Sequence, residues 1–180
     1  MRRWISKLVW LAAFLLPSAF AQTFVVVGSG TVTPQGPIDG GGNWPLQANG
    51  TDYTFQGFAG TWTLLSNFSF NVVSNVGTGT FSLTQGADGV SGTLYTEGTP
   101  IAAGAGFELE YTITSGTGMF AGLAGSGSSL VRLISDPNGP PPYSYLEAGI
   151  MSLQPIPEPQ TALLLGAGLG LLAWRRLRSA

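Results

Sequence analysis

Between residues 22 and 153, apolar and polar side chains alternate with a period of two, the spacing of strands buried on one face. The clearest run covers residues 107–114. Phe107, Leu109, Tyr111 and Ile113 fall on one face, and Glu108, Glu110, Thr112 and Thr114 on the other. The longest run is 61–73, where Trp62, Leu64, Ser66, Phe68, Phe70 and Val72 share a face and Leu65 breaks the pattern. Further strands are expected at 24–27, 51–55 with Tyr53 and Phe55 together, 80–84 with Phe81 and Leu83 together, 90–97, 130–135 and 143–153. Residues 28–50, rich in Gly, Pro and Asn, read as a long loop. Gly77-Thr78-Gly79 reads as a turn or bend, Gly86-Ala87-Asp88-Gly89 as a hairpin turn, and 136–142 as a rigid loop. No segment here repeats its apolar residues every 3.6 positions. Seven to nine antiparallel strands in about 130 residues predict an all-β domain, a single antiparallel β-barrel or β-sandwich.

Two segments depart from this alternation. At the start, Arg2, Arg3 and Lys7 precede an apolar run from Leu8 to Leu16, a Pro17-Ser18 break and Ala19-Phe20-Ala21. Basic residues, a short apolar run and a small-x-small triplet in that order predict a signal peptide over 1–21, cleaved after Ala21. At the other end, residues 154–160 form a proline-rich linker. Residues 161–174 are apolar, and 175–180 carry Arg175, Arg176 and Arg178. The run 162–174 would span ~20 Å as a helix, thin against a ~30 Å hydrocarbon core. It is expected to be a short transmembrane helix, stopped by the arginines and leaving a basic cytoplasmic tail.

Charge changes the picture. Only 9% of residues are charged. Six of the seven basic residues lie in the two flanks. Across 22–159 a single basic residue, Arg132, stands against nine acidic ones, a formal charge of −8. That excludes nucleic acid as an expected partner and is compatible with a cation or a neutral sugar polymer. Cysteine and histidine are absent, which removes disulfides, thiolate metal sites and the commonest general base. The one lysine, Lys7, lies in the signal peptide, so none of the many serines has a conventional activating base.

Three motifs invite chemistry. Residues 115–127 contain Gly116-Thr117-Gly118-Met119-Phe120-Ala121, close to a dinucleotide-binding loop. Ala121 occupies the third glycine position and no helix follows, so no cofactor is expected. The stretch is read as a tight connection with Phe120 plugging one end of the core. Glu108 and Glu110 project from one face of a strand, ~7 Å apart. With Asp52 they could serve a secreted carbohydrate-active enzyme or a barrel isomerase, if the fold gathers them in one concave pocket. A solvated face is the plainer reading, and no calcium-loop spacing is present. Asn49-Gly50-Thr51 and Asn67-Phe68-Ser69 match the glycosylation sequon and are read as chance matches.

Ile156-Pro157-Glu158-Pro159, the apolar segment with Gly166, Gly168 and Gly170, and the closing Arg175-Arg176 together resemble the PEP-CTERM sorting signal of Gram-negative bacteria. The family often has Val where Ile156 stands. The resemblance implies export across the inner membrane, a transient membrane anchor, and recognition of Pro157, Glu158 and Pro159 by an exosortase. This chain would then be the substrate. It also implies delivery to the cell surface or extracellular matrix, in company with exopolysaccharide and biofilm systems. A structural or adhesive role, with no enzymatic activity, is therefore expected. A weaker, local resemblance, on Ile113, Gly116, Thr117, Gly118, Phe120, Ala121, Gly122 and Gly125, is to a turn of allene-oxide-cyclase and dirigent-type barrels.

Overall fold

The computed structural model describes residues 21–98, 106–136 and 139–156, together with Gly168 and Arg175. Eight strands run in chain order: β1 (Gln22–Pro34), β2 (Asn43–Phe55), β3 (Trp62–Asn71), β4 (Val76–Gln85), β5 (Asp88–Gly98), β6 (Gly106–Thr117), β7 (Leu123–Leu133) and β8 (Tyr143–Pro155). Each pairs antiparallel with the next, and β8 returns to β1, closing a barrel. Closure removes the unpaired edges that a sandwich would keep.

The predicted inward faces are the observed ones. Phe107, Leu109, Tyr111 and Ile113 are buried, as are Trp62, Leu64, Ser66 and Phe70, while Leu65 points outward. Phe120 is buried in a 3-10 turn, Gly118–Phe120, between β6 and β7. Gly118 adopts φ +58°, a conformation that glycine reaches without strain.

Three loop expectations are corrected. Residues 28–50 are not a long loop: β1 continues to Pro34 and β2 begins at Asn43. Gly77-Thr78-Gly79 lies inside β4, and the reversal is at 72–75, where Asn75 takes φ +59°. The glycine-rich stretch 115–127 is mostly strand, divided between β6 and β7. Glycine misleads here because it was read as backbone freedom, whereas in these strands it makes room. A Cβ on Gly28 would lie 2.4 Å from the Tyr53 ring, one on Gly50 2.2 Å from it, and one on Gly30 2.7 Å from the Tyr145 hydroxyl. Both β1 and β2 shift register beside these positions.

The two ends of the barrel differ. At one end Phe24, Phe55, Phe58, Trp62 and Phe120 pack ring against ring, with centroids 5.0–6.0 Å apart, and plug the interior. Gln22 pairs with Leu153 there, so the chain enters β1 and leaves β8 at the plugged end. The amide of Ile156 donates to the Gly122 carbonyl at 2.8 Å and ties down the start of the C-terminal segment. At the other end Val32 pairs with Tyr143, and both line an apolar cavity.

The outer surface is not uniformly polar. Val25, Val27, Leu130, Leu146 and Ile150 are exposed on β1, β7 and β8. Residues 1–20 of the expected signal peptide, and most of the expected transmembrane segment 161–174, lie outside the described residues. Gly168 and Arg175 are helical. Among the described residues no helix is long and apolar enough to cross a membrane.

Candidate functional site

The inner wall of β8 carries Tyr145 and Glu147 on alternate residues. Glu147 is 4% exposed, and among the described residues it is the one charged side chain in the core. A carboxylate removed from water is costly unless hydrogen-bonded. Here three neighbouring strands supply hydroxyl donors. Tyr53 on β2 donates to Oε2 at 2.5 Å, Ser129 on β7 donates to Oε1 at 2.7 Å, and Tyr111 on β6 also donates to Oε1. The two quoted distances fall in the range of hydroxyl bonds to an anionic oxygen.

The Tyr53 and Tyr145 hydroxyls are 3.0 Å apart. Tyr53 is the donor toward both partners: its single hydrogen is shared between Glu147 Oε2, at the shorter distance, and the Tyr145 hydroxyl. Burial, and then the negative charge of Glu147, push the Tyr53 and Tyr111 hydroxyls well above the ordinary tyrosine value. Burial is the largest cause of the upward shift at Tyr145. The Phe81 ring meets Tyr111 edge-on, with centroids 4.6 Å apart.

No basic side chain balances Glu147 among the described residues. Arg132 is the only Lys or Arg between 22 and 156, and it stands exposed on the outer side of β7. Glu147 pairs across β8 with Gly28 of β1 and Val131 of β7, neither of which can neutralise it.

Toward the Val32–Tyr143 end the barrel holds an apolar cavity of about 210 Å³. Trp44, Phe68, Phe70, Phe107, Leu133 and Tyr143 are among its walls. A narrower chamber of about 20 Å³ shares Val32, Phe68 and Phe107 with the cavity and reaches Tyr111, Tyr145 and Glu147. That is room for roughly one water-sized group. The two cavities therefore adjoin at Val32, Phe68 and Phe107, with Glu147 on the wall of the inner one.

The residues singled out from the sequence are placed elsewhere. Glu108 and Glu110 project outward from β6, where they pair in register with Glu97 and Tyr95 of β5. Asp52 projects outward from β2. It accepts the Ser29 hydroxyl at 2.7 Å and the Ser29 amide at 3.0 Å, and these bonds hold its carboxyl below the usual range. The three carboxylates are not gathered in one pocket. Asn49 and Asn67 are exposed on β2 and β3. No group of three or more metal-ligating side chains occurs among the described residues. Ala21 is described and exposed. Ala19, Pro157, Glu158, Pro159, Arg176 and Arg178 lie outside the described residues, and Arg175 is helical and exposed.

Glu147 escaped the sequence reading because β8 is apolar on both faces. Tyr145, Met151 and Leu153 share its phase, while Leu146, Ala148 and Ile150 occupy the other. Alternation alone gives no sign of which face is inside. The available signal was an acidic residue in phase with two tyrosines and a methionine. Comparisons with protein-family models, curated proteins and solved structures find no match to this chain.

Proposed function

We propose that this protein is an exported β-barrel that is delivered to the cell surface or matrix and binds a small, largely apolar molecule in its open end. The carrying observation is the apolar cavity of about 210 Å³, lined by Trp44, Phe68, Phe70 and Tyr143 and sharing wall residues with a chamber that reaches a buried polar cluster. Concave apolar sites with a few convergent polar groups are the usual form of small-molecule sites. The volume is below the ~300–1,000 Å³ of drug-sized sites, so the occupant is small or inserts only one end.

Delivery rests on the C-terminal resemblance to an exosortase substrate, with Pro157, Glu158 and Pro159 as the recognition element. The chain enters β1 and leaves β8 at the plugged end, which fits that route. A barrel tethered through residues 157–174 would turn its mouth away from the membrane. No catalytic role is assigned to the acidic residues of the outer surface.

Exopolysaccharide contact is a second reading, favoured by a separate surface. Thr78, Thr80, Thr93, Tyr95, Glu110 and Thr112 line a shallow outer groove across β4, β5 and β6. Hydroxyls flanking an exposed aromatic ring suit sugar rings. Retention of the protein on the host's own polysaccharide, weakened by Tyr95→Ala, would support it.

The binding reading is tested with protein recovered from the host surface and titrated with a neutral naphthylamine fluorophore. Saturable fluorescence enhancement, weakened by Phe68→Ala, is expected. Enhancement that never saturates, or that Phe68→Ala leaves unchanged, would overturn it.

A further inference from the structure

We infer that the ligand class is an apolar amine, a hydrocarbon or aromatic body carrying a primary ammonium group that enters the narrower chamber beside Glu147. This deepens the small-molecule reading above and rests on it.

Three observations converge on that chemistry. The first is charge. Glu147 places a carboxylate inside the barrel, and no Lys or Arg among the described residues accompanies it. Its three hydrogen bonds come from neutral hydroxyls, which satisfy oxygen lone pairs but leave the charge in place. In a low-dielectric interior that charge favours a cation and opposes an anion far more strongly than it would in water.

The second is size. The chamber beside Glu147 encloses about 20 Å³. A primary ammonium is close to a water molecule in bulk and fits such a space. A carboxylate, a phosphate or a quaternary ammonium is larger. Oε1 already receives two hydroxyls, whereas Oε2 receives only Tyr53, so Oε2 keeps capacity for one further donor. A tightly hydrated metal ion is a poorer match, because this single carboxylate has no second anionic ligand beside it.

The third is the lining of the route. Trp44, Phe68, Phe70, Phe107 and Tyr143 surround the mouth, and the Trp44 and Tyr143 rings sit 6.1 Å apart at 69°. Aromatic faces attract a cation on its way past and pack the apolar remainder of the ligand. An apolar wall leading to one anionic oxygen selects an amphiphile whose polar group is small, cationic and terminal.

The test compares three ligands of one chain length, octylammonium, octanol and octanoate, by displacement of the neutral fluorophore. Octylammonium is expected to bind at least about tenfold more tightly than octanol, with octanoate weakest. In Glu147→Gln the preference of amine over alcohol should fall to within about twofold, with octanol little changed. Tyr111→Phe provides a second variant that keeps the charge. By freeing Oε1 of one donor, it should preserve or increase the preference for the amine.

Equal displacement by all three ligands would sink the amine inference and leave the small-molecule reading standing. The same holds for an amine preference that survives in a folded Glu147→Gln, or for one that disappears in Tyr111→Phe. Failure of all three, and of the fluorophore itself, to bind saturably would remove the underlying reading instead.

Discussion

The Tyr53 hydroxyl reaches across the barrel interior and donates to Glu147 Oε2 at 2.5 Å. This bond joins β2 to β8 through space, with β1 lying between them in the sheet. It also explains the two glycines on which the Tyr53 ring rests, Gly28 in β1 and Gly50 in β2. Removing the hydroxyl by Tyr53→Phe takes away the donor that serves both Glu147 Oε2 and the Tyr145 hydroxyl. A loss of about 1–3 kcal/mol is expected in urea denaturation. In a Glu147→Gln background the same change should cost less, because the charge-assisted bond is already gone. Additive losses in the double-mutant cycle would show that the two residues do not act together.

Gly28→Ala and Gly50→Ala should each destabilise the barrel by roughly 1–3 kcal/mol, since the added methyl enters the space of the Tyr53 ring. Gly40→Ala is the matched control: it has open space around its Cβ and no positive φ. It should fall within about 0.5 kcal/mol of the parent. Thermal denaturation of the three variants checks the contrast, and a Gly28→Ala as stable as Gly40→Ala would contradict the close packing.

Alkali should unfold the barrel. Tyr53, Tyr111 and Tyr145 have hydroxyls raised above the ordinary value of 10.0 by burial. Between the unfolded and folded values the native state holds more protons, so stability falls as pH rises. The contribution is complete below about pH 10 and is lost progressively above it. Tyrosinate absorbance for these three residues should appear together with loss of β-sheet circular dichroism. Ionisation of all five tyrosines with the β-signal intact would be incompatible with the buried cluster. Asp39 and Asp52 act in the opposite direction. Their carboxyls are lowered from 3.8, so their small surface contribution is present above that value and fades as pH falls.

Thr96 is fully buried and, among the described residues, its hydroxyl has no hydrogen-bond partner. The similarly shaped Thr96→Val removes an unsatisfied polar atom. Stability should stay level or rise by up to about 1 kcal/mol. A clear loss in denaturation midpoint would mean that the hydroxyl has a partner, such as an ordered water.

Glu158→Ala addresses delivery independently of binding. If an exosortase reads Pro157, Glu158 and Pro159, the variant should accumulate in the inner membrane as a chain retaining its C-terminal residues. Mass spectrometry of membrane and surface fractions reads the outcome. Release of the variant at the parental rate would count against recognition through this glutamate.

The sequence by itself determined that residues 22–153 are all-β and which faces of β3 and β6 turn inward. Alternation is a local property, and it is strict wherever one face meets water and the other meets the core. For the flanking segments the sequence raises an expectation of export and anchoring, read from basic, apolar and proline-rich runs, and that expectation falls outside the described residues. It could not decide between barrel and sandwich. Only the β1–β8 pairing closes the sheet, and those strands lie over a hundred residues apart. Nor could it find the candidate site. Glu147, Tyr53, Tyr111 and Ser129 come from four strands, and their chemistry arises from hydroxyls converging on one carboxylate after closure. The glycines around them looked like loop until side-chain volume was counted. Their purpose lies in the tyrosines they accommodate, and that relation exists only once the strands are laid side by side.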